Sequence, residues 1–175
     1  DRGTSGCLLI AKRRPILLAL HTMLREGLMH KHYRALVRGH WQGGARTINA
    51  PLTRDRVSEA DRRVGVNDSG KAAESRFRPI QSYSDTTLVE IELRTGRTHQ
   101  ARVHAAHIDH PIAGDDKYGD WDFNRALRDK GLKRLFLHAA ALHFRHPKTG
   151  QTLNFEAPLP ADLTAVLNRL NEPTV

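Results

Sequence analysis

The stretch Thr87-Leu88-Val89-Glu90-Ile91-Glu92-Leu93-Arg94 alternates without a break, with Thr87, Val89, Ile91 and Leu93 on one side and the remaining four residues on the other. Strand side chains point to opposite faces with a period of two, so this segment is predicted to be a strand with one face on a core. A strand needs neighbours, and the chain offers several. An apolar run over residues 6–12 reads as a buried strand, and His32 to Val37 is a second strand closed by Gly39. Residues 45–82 read as strands and loops, with Asn67-Asp68-Ser69-Gly70 as a hairpin signal. Residues 135–145 form another strand, which Pro147 to Gly150 turns into a return strand over 151–157. The helical patterns are short. Pro15 marks the first turn of a helix: Leu17, Leu20, Leu24 and Leu28 fall at helical spacing, and Gly27 marks the end. A second covers 98–108, opened by Thr98 as a cap and stopped by His110-Pro111. A polar helix over residues 122–130 and a C-terminal one over 161–170 complete the chain. Strands rarely alternate with long helices, so the expected class is α+β with a largely antiparallel sheet.

Charge narrows the partners. Lys and Arg number 28 against 19 acids, a net +9 with His neutral over 175 residues. That length supports one core rather than two ordinary domains. A cationic excess favours a polyanion, because each neutralised phosphate releases counterions. Nucleic acid therefore stands ahead of a membrane surface, for which no basic amphipathic helix stands out. No apolar run approaches the length of a membrane span. The single cysteine, Cys7, rules out an internal disulfide framework and a multi-cysteine zinc site, which points to a reducing compartment.

Three constellations carry chemistry. Asp1-Arg2-Gly3-Thr4-Ser5-Gly6 puts a carboxylate on a tight turn of small residues before the apolar run. Such an acid can act as nucleophile or general base, although the same residues also make ordinary turns. Ser5 does not fit a nucleophile elbow, since its following glycine comes one position too early. Gly96-Arg97-Thr98-His99-Gln100-Ala101-Arg102-Val103-His104 brings two guanidiniums to a helix N-terminus, a site for phosphate or carboxylate or else a solvated basic face. His104, His107 and His110 recur every third residue, but the HExxH pattern is absent and a metal site is not expected. Lys31-His32-Tyr33-Arg34-Ala35-Leu36-Val37 places an aromatic ring among cations, the pattern that stacks a base beside neutralised phosphates, or a core tyrosine on a strand.

Taken together and in order, these segments resemble the RluA-type pseudouridine synthases. The opening Asp1-Arg2-Gly3-Thr4-Ser5-Gly6 with Leu8-Leu9-Ile10-Ala11-Lys12 is similar to that family's catalytic motif. Lys31-x-Tyr33-x-Ala35-x-Val37-x-Gly39 is similar to its tyrosine motif, and Gly96-Arg97-Thr98-His99-Gln100-x-Arg102-Val103-His104 to its arginine motif. Gly70-Lys71-x-Ala73, His110-Pro111-Ile112-x-Gly114-Asp115-x-x-Tyr118-Gly119 and Leu135-Phe136-Leu137-His138-Ala139 also fit. The nearest look is to the bacterial synthases of large-subunit (23S) ribosomal RNA, the C type before the D type. Cys7 and Ala101 depart from the usual residues at core positions, and the Arg-Leu pair that precedes the aspartate in the family lies outside residues 1–175.

The resemblance implies a pseudouridine synthase fold over residues 1–175, a mixed, mostly antiparallel sheet with its catalytic cleft across it. It implies a catalytic domain that lacks the upstream strand and any N-terminal S4-like RNA-binding domain. The implied activity is isomerisation of uridine to pseudouridine on a flipped-out nucleotide, in the cytoplasm, by a monomer. Asp1 is then the nucleophile or base at the sugar or the ring, Tyr33 the stacking ring, and Arg102 the partner of Asp1. Leu137 walls the base pocket, and Arg97 and Lys31 make phosphate or positioning contacts, with Thr4 and His99 beside them. Bonds are rearranged within one nucleotide, so no cofactor and no metal are implied. The alternatives are a synthase acting on transfer RNA and an RNA-binding module of the same fold without activity.

Overall fold

The alternating segment is β7, Thr86–Leu93, and it lies inside a seven-stranded sheet. The computed structural model describes residues 1–56 and 62–171. The other strands of the sheet are β1 (Ser5–Gly6), β2 (His30–Arg38), β3 (Arg46–Asn49), β6 (Glu74–Ser82), β8 (Leu137–Arg145) and β9 (Thr152–Glu156). Their order is β1-β8-β2-β7-β6-β3, with β9 also on β8. Among the described residues of this sheet, only the β1–β8 pairing is parallel. β4 (Leu52–Arg56) and β5 (Arg62–Val66) make a separate antiparallel ribbon. Four helices flank the sheet: α1 (Arg14–Arg25), α2 (Gln100–His107), α3 (Trp121–Asp129) and α4 (Ala161–Asn171). The α+β class and its mainly antiparallel sheet agree with the pattern of the sequence.

The period of two sorts the core into layers. Ala35 and Val37 of β2 and Val89, Ile91 and Leu93 of β7 face one side, where Ala101 and Ala105 of α2 close over them with Phe77 and Leu137. Leu36 and Leu88 point the other way and pack with Phe136, Leu127 of α3, and Leu163 and Val166 of α4. β7 is thus covered on both faces at its start, since Thr86, Thr87, Leu88 and Val89 are all buried. The expectation of one core face is corrected there. Alternation alone predicts a solvated second face, and α4 supplies the unforeseen cover.

Two further expectations change. Residues 6–12 do not form a buried strand: pairing stops at Gly6, with one more hydrogen bond from the Cys7 amide to the Ala139 carbonyl. Leu8 is 82% and Ile10 74% exposed. The reason lies on β8, whose outer edge is shared. Residues 138–139 hold β1, and from Ala141 onward the same edge holds β9. A longer β1 has no edge left to pair with. Asn67-Asp68-Ser69-Gly70 is a turn in which Asn67 Oδ1 accepts from the Ser69 amide, but β5 pairs back onto β4. The turn therefore leads the chain out of the ribbon into β6, and the residues joining β4 to β5 lie outside the described set. No helix among the described residues is long and apolar enough to cross a membrane.

Candidate active site

Asp1 opens a turn closed by the Thr4 amide, which donates to the Asp1 carbonyl at 3.3 Å, while Thr4 Oγ1 donates to Asp1 Oδ2 at 3.1 Å. The turn is pinned to β8 by the two residues of β1, and Ser5 Oγ lies 3.0 Å from His138 Nδ1. His138 Nε2 is 3.0 Å from the Ala157 carbonyl, so the ring donates there and Nδ1 accepts from Ser5. Gly6 makes the close approach possible. It has a φ of 104°, and a Cβ at that position would run into the Ala139 carbonyl.

The carboxylate of Asp1 meets α2. Arg102 Nη1 donates to both of its oxygens at 3.2 Å. The rest of the guanidinium is committed elsewhere: Nε and Nη2 each donate to an oxygen of Asp115 at 2.7 Å. The Arg102 side chain is 9% exposed and that of Asp115 fully buried. Burial works against both charges, but the hydrogen bonds between them outweigh it. They hold the arginine above its ordinary pKa and, with the amides of Tyr118 and Lys117, hold the Asp115 carboxyl below the usual range. Breaking such a buried pair by removing one partner costs about 3–5 kcal/mol. Asp1 is thus the outer member of an Asp1–Arg102–Asp115 relay, on the side open to a pocket.

The turn into α2 is built differently from the expected cap. The cap position falls on His99 rather than on Thr98, with a left-handed φ of 53° and no side-chain cap bond from His99. Gln100 does the work instead. Its Oε1 accepts from the Arg97 amide and from Thr95 Oγ1, and its Nε2 donates to the Glu74 carbonyl and Ser75 Oγ. The chain of bonds continues from Ser75 Oγ to His104 Nδ1, and from His104 Nε2 to the Ala50 carbonyl. All of these donors and acceptors are consistent with one tautomer of His104, and burial lowers its pKa, so the ring is neutral. A satisfied buried network of this kind fixes how α2 sits on β6 and therefore where Arg102 points.

Seven of the eight expected site residues line one cleft of about 580 Å³: Asp1, Thr4, Tyr33, Arg97, His99, Arg102 and Leu137. Tyr33 comes from the α2-facing side of β2 and Leu137 from the start of β8. Burial, then the nearby Cys7, raises the Tyr33 phenol, so the ring is uncharged at neutral pH. His99 Nδ1 and the Tyr118 hydroxyl are hydrogen-bonded at 2.9 Å, and that hydroxyl accepts from the Val64 amide. Burial, then Arg102 and Lys117, lowers the His99 pKa and favours the uncharged ring. Arg97 is exposed and donates from Nε to the Ala72 carbonyl. Lys31 is not among the residues that line the cleft. Its ammonium donates to the Thr95 carbonyl at 3.0 Å, and burial, then Arg97, lowers its pKa.

The residue that sequence reasoning passed over as a site member is Asp115. Its signal was present in Gly114-Asp115-Asp116, but two adjacent acids in a loop do not reveal which one turns inward. The histidines spaced by three go separate ways: His104 into the buried network, His110 Nδ1 to the Arg38 carbonyl. Among the described residues no three His, Cys, Asp or Glu side chains converge in a metal-binding group.

A protein-family model described as RNA pseudouridylate synthase matches residues 1–107, the span holding Asp1, Tyr33 and Arg102. The chain belongs to that family. Ribosomal large subunit pseudouridine synthase C of Pasteurella multocida is 48% identical over 172 residues, covering 98% of this chain and 53% of that protein. The protein of the same name from Escherichia coli K12 is 49% identical, covering 97% and 54%. The chain therefore spans about half the length of these relatives. Among solved structures, Human RNA Pseudouridylate Synthase Domain Containing 1 superposes with a TM-score of 0.77 at 27% identity, covering 91% of this chain and 66% of that one. Human RNA Pseudouridylate Synthase Domain Containing 4 shares the fold, with a TM-score of 0.71 at 24% identity.

Proposed function

We propose that residues 1–175 are the catalytic domain of an RNA pseudouridine synthase that isomerises uridines of large-subunit (23S) ribosomal RNA in the cytoplasm. The observation that carries the reading is the Asp1 carboxylate, held by Arg102 and Thr4 at the edge of a cleft that also presents Tyr33 and Leu137. The names and 48–49% identity of the bacterial relatives support the choice of substrate.

A uridine inside a helical stack hides its glycosidic bond, so the nucleotide must leave the stack. Tyr33 stacks on the flipped base, and Leu137 walls the pocket against water that would capture the sugar. Asp1 acts as nucleophile or base; the N1–C1′ bond breaks, the uracil turns, and C5 bonds to C1′ while its proton is lost and N1 regains one. Arg102 aims the carboxylate, and Asp115 aims Arg102. Arg97 neutralises phosphate near the mouth of the cleft, and Lys31 has the positioning role, its ammonium holding the Thr95 carbonyl before α2.

The test is turnover on an unmodified 23S ribosomal RNA transcript, with pseudouridines mapped afterwards. Wild type is expected to introduce them at defined uridines. Asp1→Asn is expected to abolish them while still binding the transcript. Retained turnover in Asp1→Asn overturns the mechanism, and modification of transfer RNA alone overturns the substrate.

A further inference from the structure

A second cleft, of about 400 Å³, lies on the other side of the Asp1 turn. Gly3 lines it, whereas Asp1 and Thr4 line the candidate active site, so one tight turn is the partition between the two. Two residues of chain span at most about 7 Å, within a few steps of a strand that rises roughly 3.4 Å per nucleotide.

The opposite wall of this cleft carries Trp121, the first residue of α3. It is 69% exposed, although a large apolar ring is ordinarily covered. The Arg128 guanidinium sits over the ring, 5.5 Å from its centroid. A cation on the face of an indole is an attractive contact, and it holds the ring in one orientation. Trp121 is thus a braced aromatic platform with most of its surface still open to solvent. Lys133 and Arg134 add positive charge to the cleft, Arg134 being tied to Asp162 at 2.7 Å and donating to Ser5 Oγ at 3.2 Å. The exposed acid of the same wall is Asp116, which repels phosphate and favours a base edge on its side.

We propose that this cleft receives a nucleotide neighbouring the target uridine, its base stacked on Trp121 and its phosphate toward Lys133. The identity of the strand rests on the RNA synthase reading; the platform itself rests on Trp121 and Arg128. Every base has a π-face, so a stacking platform takes any nucleotide and sets the strand's position rather than its sequence. Base–aromatic stacking of about 1–3 kcal/mol per base corresponds to roughly 5–150-fold in affinity.

The chain holds two tryptophans, and the other, Trp41, is buried against Phe77. Indole emission therefore reports on the platform. Titration of the full chain with a single-stranded RNA hexamer containing one uridine is expected to quench it, and Trp121→Phe to remove the quench while keeping affinity for the labelled hexamer within about threefold. Trp121→Ala is expected to weaken binding at least fivefold, with Trp41 emission reporting an intact fold. Unchanged affinity in Trp121→Ala, or unchanged wild-type emission at saturating hexamer, overturns the subsite. Asp1→Asn is expected to keep the quench. If the wild type quenches and Trp121→Ala binds weakly, yet no pseudouridine forms on the 23S transcript, the synthase reading fails and the subsite stands.

Discussion

Arg102 lies closer to Asp115 than to Asp1: 2.7 Å to each oxygen of the first, 3.2 Å to each oxygen of the second. The inner pair is a two-pronged, buried bond, and the outer one uses a single nitrogen. The arginine is therefore anchored by the acid that faces the interior and offers its remaining nitrogen to the acid that faces the cleft.

Asp115→Asn should be felt at Asp1. The amide keeps the shape but removes the inner countercharge and leaves the buried guanidinium only the outer carboxylate of Asp1, a loss of up to about 3–5 kcal/mol for such pairs. Turnover of the 23S transcript should fall at least tenfold. Arg102→Lys should lose as much turnover as Arg102→Ala, because one ammonium cannot serve both carboxylates with a planar fork. Urea unfolding alongside single-turnover kinetics checks both, and a fully active, well-folded Arg102→Lys would contradict the geometry.

Tyr33 gives a prediction that separates ring from hydroxyl. Tyr33→Phe keeps the stacking surface and should hold RNA affinity within about twofold. Tyr33→Ala should lose about 1–3 kcal/mol of binding. Filter binding of the transcript reads both, and equal weakening in the two variants would assign the contact to the hydroxyl.

The buried His104 makes stability depend on pH. Its folded pKa lies below the ordinary histidine value of about 6.5 because burial disfavours the charged ring. Below that value the unfolded chain binds the proton and the folded one does not, so stability rises with pH across the window. It should be complete above about pH 6.5 and fall as the solution is acidified toward the folded pKa, by up to roughly 1.4 kcal/mol per pH unit. His99, lowered by burial and then by Arg102, adds in the same direction. Urea unfolding at pH 7.5 and 5.5 should show this loss, and His104→Asn should be less stable at pH 7.5 yet show a shallower pH dependence. An identical slope in the variant would count against the neutral buried ring.

Gly6→Ala tests the close approach of the Asp1 turn to β8. The added methyl meets the Ala139 carbonyl in a backbone conformation with a φ of 104°. Strain of this kind costs about 1–3 kcal/mol, and the relief available is to lift the turn from the strand. Turnover should fall further than stability, as read by kinetics and thermal unfolding of one preparation; an unchanged variant would show that the turn has slack.

Much of this was legible before the structure. The period of two placed β7, and the same period put Tyr33, Ala35 and Val37 on one face of β2. The motifs brought Asp1, Tyr33, Arg102 and Leu137 to one cleft in an order that no local pattern dictates. The failures share a cause: each depends on a partner far along the chain. Residues 7–12 are apolar enough for a strand, but β9 occupies the edge they would need. Thr98 is a good cap by type, yet α2 starts one residue later, after a left-handed His99, in a turn that Gln100 ties to Glu74 and Ser75. The burial of Asp115 is decided by Arg102, thirteen positions earlier.

The shared edge of β8 has one more effect. A strand that slips by one residue turns all its side chains over. β1 has only two residues of pairing to resist such a slip, but the place it would slide into is taken: the Ala140 carbonyl accepts from the Ala157 amide, and Ala141 pairs with Glu156. β9 thus acts as a stop. The position of the acid at residue 1 is metered by a strand at the far end of the chain, and changes in the length of that hairpin should register in the aim of Asp1.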